Sequence, residues 1–296
     1  MNLIQLMGAC EVGLIYSIVA MGIYLSFRTL QFPDLTVDGS FPLGAAVCAA
    51  CIMHGIHPLT ATLIALLCGA FSGFVTAFLA TRLLILNLLS GILTMIALYS
   101  INLRVMGGRP NMSVSGDQTI FTEFFSLLVL PSLSTSVLAL LLIAFIFFVA
   151  ALLFLRTELG LGLRATGCNP KMARAQGIND KRMVQLGLSL SNGYVAVGGA
   201  LFAQVHGFAD VTMGIGTIVF GLAAVILGET LLPTQKIKQA LFACIIGSIL
   251  YRIVIAFALN AHEFGLQSSD LNLVTAILMV VAMQLPVLKR YFKITA

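Results

Sequence analysis

Polar side chains are scarce in this chain, so the places where they gather carry most of its chemistry. The densest is Phe32-Pro33-Asp34-Leu35-Thr36-Val37-Asp38-Gly39-Ser40-Phe41-Pro42, where Asp34, Thr36, Asp38 and Ser40 fall at every second position beside an apolar segment. Such acids can hold an ammonium group or a coupling ion. Pro42 removes a backbone donor and Gly39 loosens the chain, so the helix that follows is expected to be broken. A broken helix at membrane depth frees N–H and C=O groups that need a cavity, a ligand or a neighbouring helix. Asp34 and Asp38 can equally be plain helix caps at the membrane surface. Asn87, Ser90, Ser100 and Asn102 share a later apolar segment. There, polar side chains either bond across helices or line a path. Arg252 lies inside another apolar segment, and Glu229 closes the one before it. A charge at that depth is a functional candidate, unless it snorkels outward or pairs with an acid such as Asp210 or Asp270.

A second polar island runs from Arg164 to Asn179 and carries its own helix punctuation. Asn169 can cap a helix start. Pro170 then sits at the first helical position, where its missing N–H costs nothing, and Gly177 supplies a left-handed stop. The spacing predicts a short basic helix from Pro170 to about Gln176, ~10 Å long at 1.5 Å per residue. A short, capped, basic helix between apolar segments suits the grip of a soluble partner. The alternative is an ordinary loop whose Lys and Arg only set orientation.

Several chemistries are excluded. The chain has no Gly-x-x-x-x-Gly-Lys-Ser/Thr stretch, so it does not hold ATP by that loop. His54, His57, His206 and His262 lie near segment ends, with neither a His-Glu-x-x-His helix nor a Gly-x-Ser-x-Gly context. Cys48 and Cys51 have the spacing of a metal or redox pair, but no second pair exists and this one sits on an apolar helix, so buried, inert thiols are expected. No metal site is expected.

The elements that must position these residues are membrane helices. Of 296 residues 59% are hydrophobic and 9% charged, with a mean hydropathy of +1.06; soluble domains carry about 25% charged residues. Apolar runs near ~20 residues are helices rather than barrel strands. The expected fold is an all-α integral membrane protein: a single domain over 1–296 with about nine spans and a broken second helix. The spans are placed near 8–27, 39–54, 59–81, 83–103, 137–155, 183–205, 211–228, 239–259 and 271–288. The first lacks a signal peptide's basic and cleavage regions and is read as retained. A polar segment, 104–135, is read as a loop that dips toward the membrane.

Arg156, Arg164, Lys171, Arg174, Lys181 and Arg182 crowd the loop 156–182, and Lys289, Arg290 and Lys293 mark the C-terminus. Both belong inside by the positive-inside rule. The charge is therefore topological and no argument for nucleic-acid binding. Arg82, Lys236 and Lys238 then also fall inside; Arg104 and Arg109 fall outside, against the rule. Asp34-Leu35-Thr36-Val37 and Asp210-Val211-Thr212-Met213 each lead into a small-residue run. In this topology they face opposite ways, which suggests inverted repeats, 8–104 and 183–288, of the kind transporters use. Gly69 with Gly73, and Gly198 with Gly199, are expected to allow close helix packing.

Gly162-Leu163-Arg164-Ala165-Thr166-Gly167-Cys168-Asn169-Pro170, continuing through Ala173-Arg174-Ala175-Gln176-Gly177-Ile178-Asn179, resembles the coupling-loop signature of ATP-binding-cassette importer permeases of the branched-chain amino acid type. The Phe32–Gly39 stretch looks like that family's Asp-Leu-Thr/Ser-Val motif. Leu98-Tyr99-Ser100-Ile101-Asn102-Leu103-Arg104-Val105-Met106-Gly107 is similar to a subfamily linked to tryptophan or tyrosine uptake. The resemblance covers nearly the whole chain.

It implies a division of labour. Two copies of the permease form a pathway in the bacterial inner membrane. Two copies of a separate ATP-binding subunit, carrying ATP and Mg, dock at the short helix, and an extracytoplasmic binding protein delivers the solute. This chain itself is expected to bind no cofactor and to be no enzyme. The coupling residues implied are Arg164, Asn169, Pro170, Lys171, Ala173, Arg174, Gln176 and Gly177. The pathway is expected along Asp34, Thr36, Asp38, Ser40, Asn87, Ser90 and Asn102, with specificity left mainly to the binding protein. An alternative is an ion-coupled secondary transporter using Asp34, Asp38 or Glu229.

Overall fold

The computed structural model describes residues 3–114, 119–121, 132–232 and 236–260, with isolated positions 277, 280 and 284. The long helices are α1 (Leu3–Ile23), α2 (Val37–Met53), α3 (Pro58–Thr81), α4 (Asn87–Val105) and α5 (Ser132–Arg156). Two short helices follow, α6 (Glu158–Cys168) and α7 (Pro170–Ala175), then α8 (Asp180–His206), α9 (Thr217–Leu231) and α10 (Ile237–Asn260). Two strands, β1 (Asn111–Ser113) and β2 (Phe208–Asp210), pair antiparallel with Asn111 opposite Asp210.

Among the described residues, six helices are long and apolar enough to cross a membrane. The expected second and seventh spans are shorter: α2 has 17 residues and α9 has 15. At 1.5 Å per residue these measure ~25 and ~22 Å, less than the ~30 Å hydrocarbon core. The ninth expected span, 271–288, the C-terminal Lys289, Arg290 and Lys293, His262 and Asp270 lie outside the described residues, isolated positions aside. Nine spans are therefore not established; eight of the expected segments are helices.

The second helix is not broken. It runs unbroken through Pro42, because the carbonyl that proline leaves free, that of Asp38, lies in the first turn, where neighbouring segments close over it. The interruption comes earlier. After Ile23 the first helix widens into a π-helical turn, Tyr24–Thr29, in which Leu30 N–H donates to the Leu25 carbonyl at 3.1 Å. The chain then reverses at Gln31, φ +55°, and runs without helix until α2 begins. The segment 156–182 also differs from a loop: α6, α7 and the first turn of α8 occupy most of it. Within 104–135, Asn111–Ser113 forms a strand on β2, and Val114 N–H donates to the Gly207 carbonyl at the end of α8, 2.8 Å.

Helix α8 is the centre of the bundle, packed along α1, α2 and α3. Glycine makes the contact backbone-close. A methyl carbon added at Gly44 would lie 1.9 Å from the Ala196 carbonyl oxygen, at Gly73 2.1 Å from that of Leu188, and at Gly199 1.9 Å from that of Phe41. Gly69 has the same role against Asn192, at 2.6 Å. Small residues here replace the hydrophobic drive that lipid does not supply between helices.

Candidate functional site

The polar island of α2 meets α3 and α8 in a buried network. Asp34 is wholly buried. Its Oδ1 accepts from Thr36 N–H at 2.9 Å, and its Oδ2 accepts from Asn192 Nδ2 at 2.6 Å. Ser40 Oγ donates to Asn192 Oδ1 at 2.7 Å and lies 2.8 Å from Ser72 Oγ. Thr36 Oγ1 and Thr76 Oγ1 share a bond of 2.7 Å, and Thr76 also reaches the Ser72 carbonyl at 3.2 Å. In this place neither carboxylate oxygen of Asp34 lacks a donor. Asn192, Ser72 and Thr76 escaped the sequence reading. An Asn inside the Gly-rich run of α8 was the available signal.

Four residues on, in the first turn of α2, Asp38 has a different setting. Its Oδ1 accepts from Ile218 N–H at 2.8 Å and its Oδ2 from Gly216 N–H at 3.3 Å. It is thus the N-terminal cap of α9, supplied by the first turn of α2. The turn that brings α9 here needs glycine twice. Gly216 has φ +83°, and a methyl carbon at Gly214 would sit 2.0 Å from the Asp38 carbonyl oxygen. That is the carbonyl freed by Pro42. The starts of the two sub-span helices therefore meet, with an acid between their positive ends. Asp34 and Asp210 make the same local turn before them: Asp210 Oδ1 accepts from Thr212 N–H at 2.7 Å.

Beside Asp38 lies a cavity of about 360 Å³ lined by Asp38, Asn102, Tyr99, Ser100, Met95 and Thr212, among others. Asn102 is wholly buried. Its Nδ2 donates to the Gly39 carbonyl at 3.2 Å, and its Oδ1 has no partner among the described residues. A larger cavity of about 510 Å³ between α3 and α4 is walled almost entirely by apolar side chains and offers no charged anchor. Of the residues expected on a path, Asp38 and Asn102 line the smaller cavity. Asp34, Thr36 and Ser40 belong to the network instead. Ser90 is buried and donates to the Asn87 carbonyl at 2.7 Å, while Asn87 itself is exposed at the other end of α4. Arg252 pairs with no acid among the described residues; its guanidinium lies 4.2 Å over the Tyr16 ring and 5.3 Å from that of Phe220.

The second polar island forms the short helix as its punctuation dictates. Asn169 Oδ1 accepts from the N–H groups of Lys171 and Met172, both at 3.1 Å, Pro170 is the first residue, and Gly177 has φ +81°. Gln176 closes the helix through its N–H to the Met172 carbonyl at 3.1 Å. Ala173 is buried beneath, while Lys171, Met172, Arg174 and Gln176 are exposed. Arg174 also reaches Asp180 at 3.3 Å. Arg164 lies apart, half-buried on α6. Helix α6 joins this region to the first span: a methyl carbon at Gly167 would lie 1.9 Å from the Thr29 carbonyl oxygen. Arg28, in that π-turn, makes a two-pronged ion pair with Glu229 at the end of α9, Nε to Oε1 2.9 Å.

A multi-pass helical bundle with a protruding capped helix at its basic end is the architecture of a transporter membrane subunit, and the fold has a solved counterpart. The PsaBC complex from Streptococcus pneumoniae with a Fab superposes with a TM-score of 0.56 at 14% identity, covering 99% of this chain and 94% of that one. The family follows from sequence. Residues 6–283 match the model described as branched-chain amino acid transport system / permease component, and the chain belongs to that family. It is a multi-pass membrane protein and the permease component of an ABC-type transport system. Among its relatives are a tyrosine transport system permease protein of Clostridioides difficile, 42% identical over 90% of this chain and 86% of that protein. An uncharacterised Rickettsia prowazekii protein is 36% identical over 94% and 96%. The ribose import permease of Escherichia coli is 25% identical over 90% and 80%.

Proposed function

We propose that this chain is the membrane subunit of an importer for a free amino acid, tyrosine or a close aromatic relative, in the bacterial inner membrane. Two copies form the pathway. A separate ATP-binding subunit holds ATP and Mg and grips α7, and an extracytoplasmic binding protein delivers the solute. The observation that carries the reading is α7 itself. It is a capped helix whose only buried residue is Ala173 and whose Lys171, Met172 and Arg174 point outward. Helix α6 ties it to the π-turn through the close contact of Gly167 with Thr29. A push on α7 would reach the first span through rigid backbone contacts rather than flexible side chains. The tyrosine transport permease relative supports the substrate class.

The two short helices, each entered through an Asp-x-Thr turn and meeting at Asp38, fit inverted halves with the pathway at their junction. A single domain spanning the chain accommodates both halves.

The test is co-purification with the ATPase encoded beside it, followed by uptake of labelled L-tyrosine into proteoliposomes holding the complete system. Arg174→Glu and replacement of Pro170–Gln176 by Gly-Ser should abolish both the complex and ATP-dependent uptake. Uptake by this chain alone, with no ATPase bound, would overturn the reading in favour of ion coupling.

A further inference from the structure

We propose that the cavity beside Asp38 is a binding site of the permease itself, which recognises the ammonium group of an amino acid with a large apolar side chain. This rests on the amino-acid import reading above and departs from the expectation that specificity lies mainly in the binding protein.

The inference starts from Asn102. Its side chain is wholly buried and lines the cavity, yet its Oδ1 accepts nothing. A buried acceptor left unmatched costs about 1–3 kcal/mol, and the bond from Nδ2 to Gly39 holds the amide so that this oxygen cannot turn away. No described residue supplies the donor it needs, and a solute can. Asp38 lies in the same lining and is the one charged side chain there among the described residues. Its bonds to Gly216 and Ile218 engage each oxygen once, and a carboxylate offers about four lone-pair sites. Acceptor capacity therefore remains on both groups.

An ammonium brings several donors and one positive charge. It satisfies Asn102 Oδ1 and neutralises Asp38 together, which a neutral solute or a sugar hydroxyl does not. Tyr99 and Ser100 add hydroxyls that can donate to a carboxylate. The remaining wall, with Met95, Ile96 and Ile215, is apolar and open on the side of Ile96 and Ile215, 59% and 76% exposed, which admits a large side chain. About 360 Å³ lies at the lower end of the ~300–1,000 Å³ of small-molecule pockets, a size for a free amino acid rather than a peptide. The cavity also sits where the two sub-span helices meet, so occupancy is sensed by both.

The experiment uses the purified permease–ATPase complex in nanodiscs, without the binding protein. Equilibrium binding of radiolabelled L-tyrosine is measured against two competitors: tyramine, which lacks the carboxylate, and 3-(4-hydroxyphenyl)propionate, which lacks the ammonium. Saturable binding is expected, with tyramine displacing the label at least about tenfold more effectively than the deaminated acid. Asn102→Leu should weaken tyrosine binding about tenfold while the variant still co-purifies with the ATPase. The competition ranking needs no variant, so it decides the matter even if Asn102→Leu fails to fold. Three results would overturn the site: no saturable binding by a complex that takes up tyrosine once the binding protein is added, equal displacement by both analogues, or an Asn102→Leu variant that binds like the wild type. No uptake of any amino acid by the complete system would instead remove the importer reading and this site with it.

Discussion

Asp34 and Asp38 lie four residues apart, one before α2 and one in its first turn, and have opposite fates. Asp34 is enclosed by α3 and α8, and each of its oxygens accepts from a fixed donor, one of them Asn192. Asp38 caps a helix from the rim of a cavity whose lining includes Asn102, with its buried, unmatched amide oxygen. In lipid no water is at hand to repair an unmatched group. Saturation is therefore the useful distinction between two polar residues at similar depth. A closed set of donors and acceptors holds helices together. An open set, held rigidly, is available to a solute. The two acids look alike in sequence, where both read as pathway residues; only their partners separate them.

The contrast is broken most directly at Asp34. Asp34→Leu leaves Thr36 N–H without an acceptor and takes one of two from Asn192 Nδ2, which keeps only the Leu188 carbonyl at 3.1 Å, in a dry site. At about 1–3 kcal/mol for each hydrogen whose acceptor is removed, the loss is ~2–6 kcal/mol, and the apparent Tm in detergent should fall by roughly 10 °C at 2–4 °C per kcal/mol. Uptake should fall only in proportion to the folded protein recovered. Normal melting with abolished uptake would place Asp34 on the pathway and dissolve the distinction. Gly44→Ala is next. Its methyl carbon would lie 1.9 Å from the Ala196 carbonyl oxygen, so α2 and α8 must separate, at about 1–3 kcal/mol for overpacking. Because separation also stretches the bond from Asn192 to Asp34, the double variant with Asp34→Leu should lose less than the sum of the singles. Full additivity in thermal melts would mean that the network and the glycine contact are independent.

Asp38→Asn sharpens the comparison from the other side. An amide oxygen still accepts from Ile218 N–H, and Asn ranks with Asp as a cap, but its NH2 cannot accept from Gly216 N–H, so at about 1 kcal/mol for the longer bond the melting temperature should fall by roughly 2–4 °C. The charge that an ammonium would meet is lost, and the KM for tyrosine uptake should rise about tenfold. A large drop in Tm with unchanged KM would make Asp38 a structural cap only.

What the sequence disclosed follows the same division between local and distant causes. Helix α7 was legible almost to the residue, because Asn169, Pro170 and Gly177 act on their own neighbours. Eight apolar segments were legible because span length and composition are local. Pro42 misled because a proline's effect depends on what lies beside the carbonyl it frees, and Gly214 comes from a segment far away in the chain. The network was half visible: Asp34, Thr36 and Ser40 stood out, but their partners Asn192, Ser72 and Thr76 sit in helices where single polar residues attract no notice. The cavity was half visible for the same reason, since Thr212 joins Asp38 and Asn102 only through the fold. The π-turn left no clear mark at all.

The smallest effect expected on stability is at Arg28 and Glu229, a third arrangement between the closed and the open one. The pair is saturated within itself, yet the Arg28 side chain is 55% exposed against 16% for Glu229. Among the described residues it is the one ion pair joining two of the apolar helices, the π-turn after α1 and the end of α9. Water can reach it, so its loss should cost about 0–1 kcal/mol, and Glu229→Gln should melt within 2 °C of the wild type. Its position gives it more influence on movement than on stability, because the π-turn that carries Arg28 is the backbone against which Gly167 of α6 rests. If the pair keeps the inner ends of α1 and α9 together until α7 is pushed, either single variant should raise ATP hydrolysis without solute about twofold in the reconstituted complex. The charge exchange Arg28→Glu with Glu229→Arg should bring it back. Singles with wild-type hydrolysis would make the pair a surface contact; singles that raise it without rescue by the exchange would assign the effect to the side chains' packing rather than to their attraction.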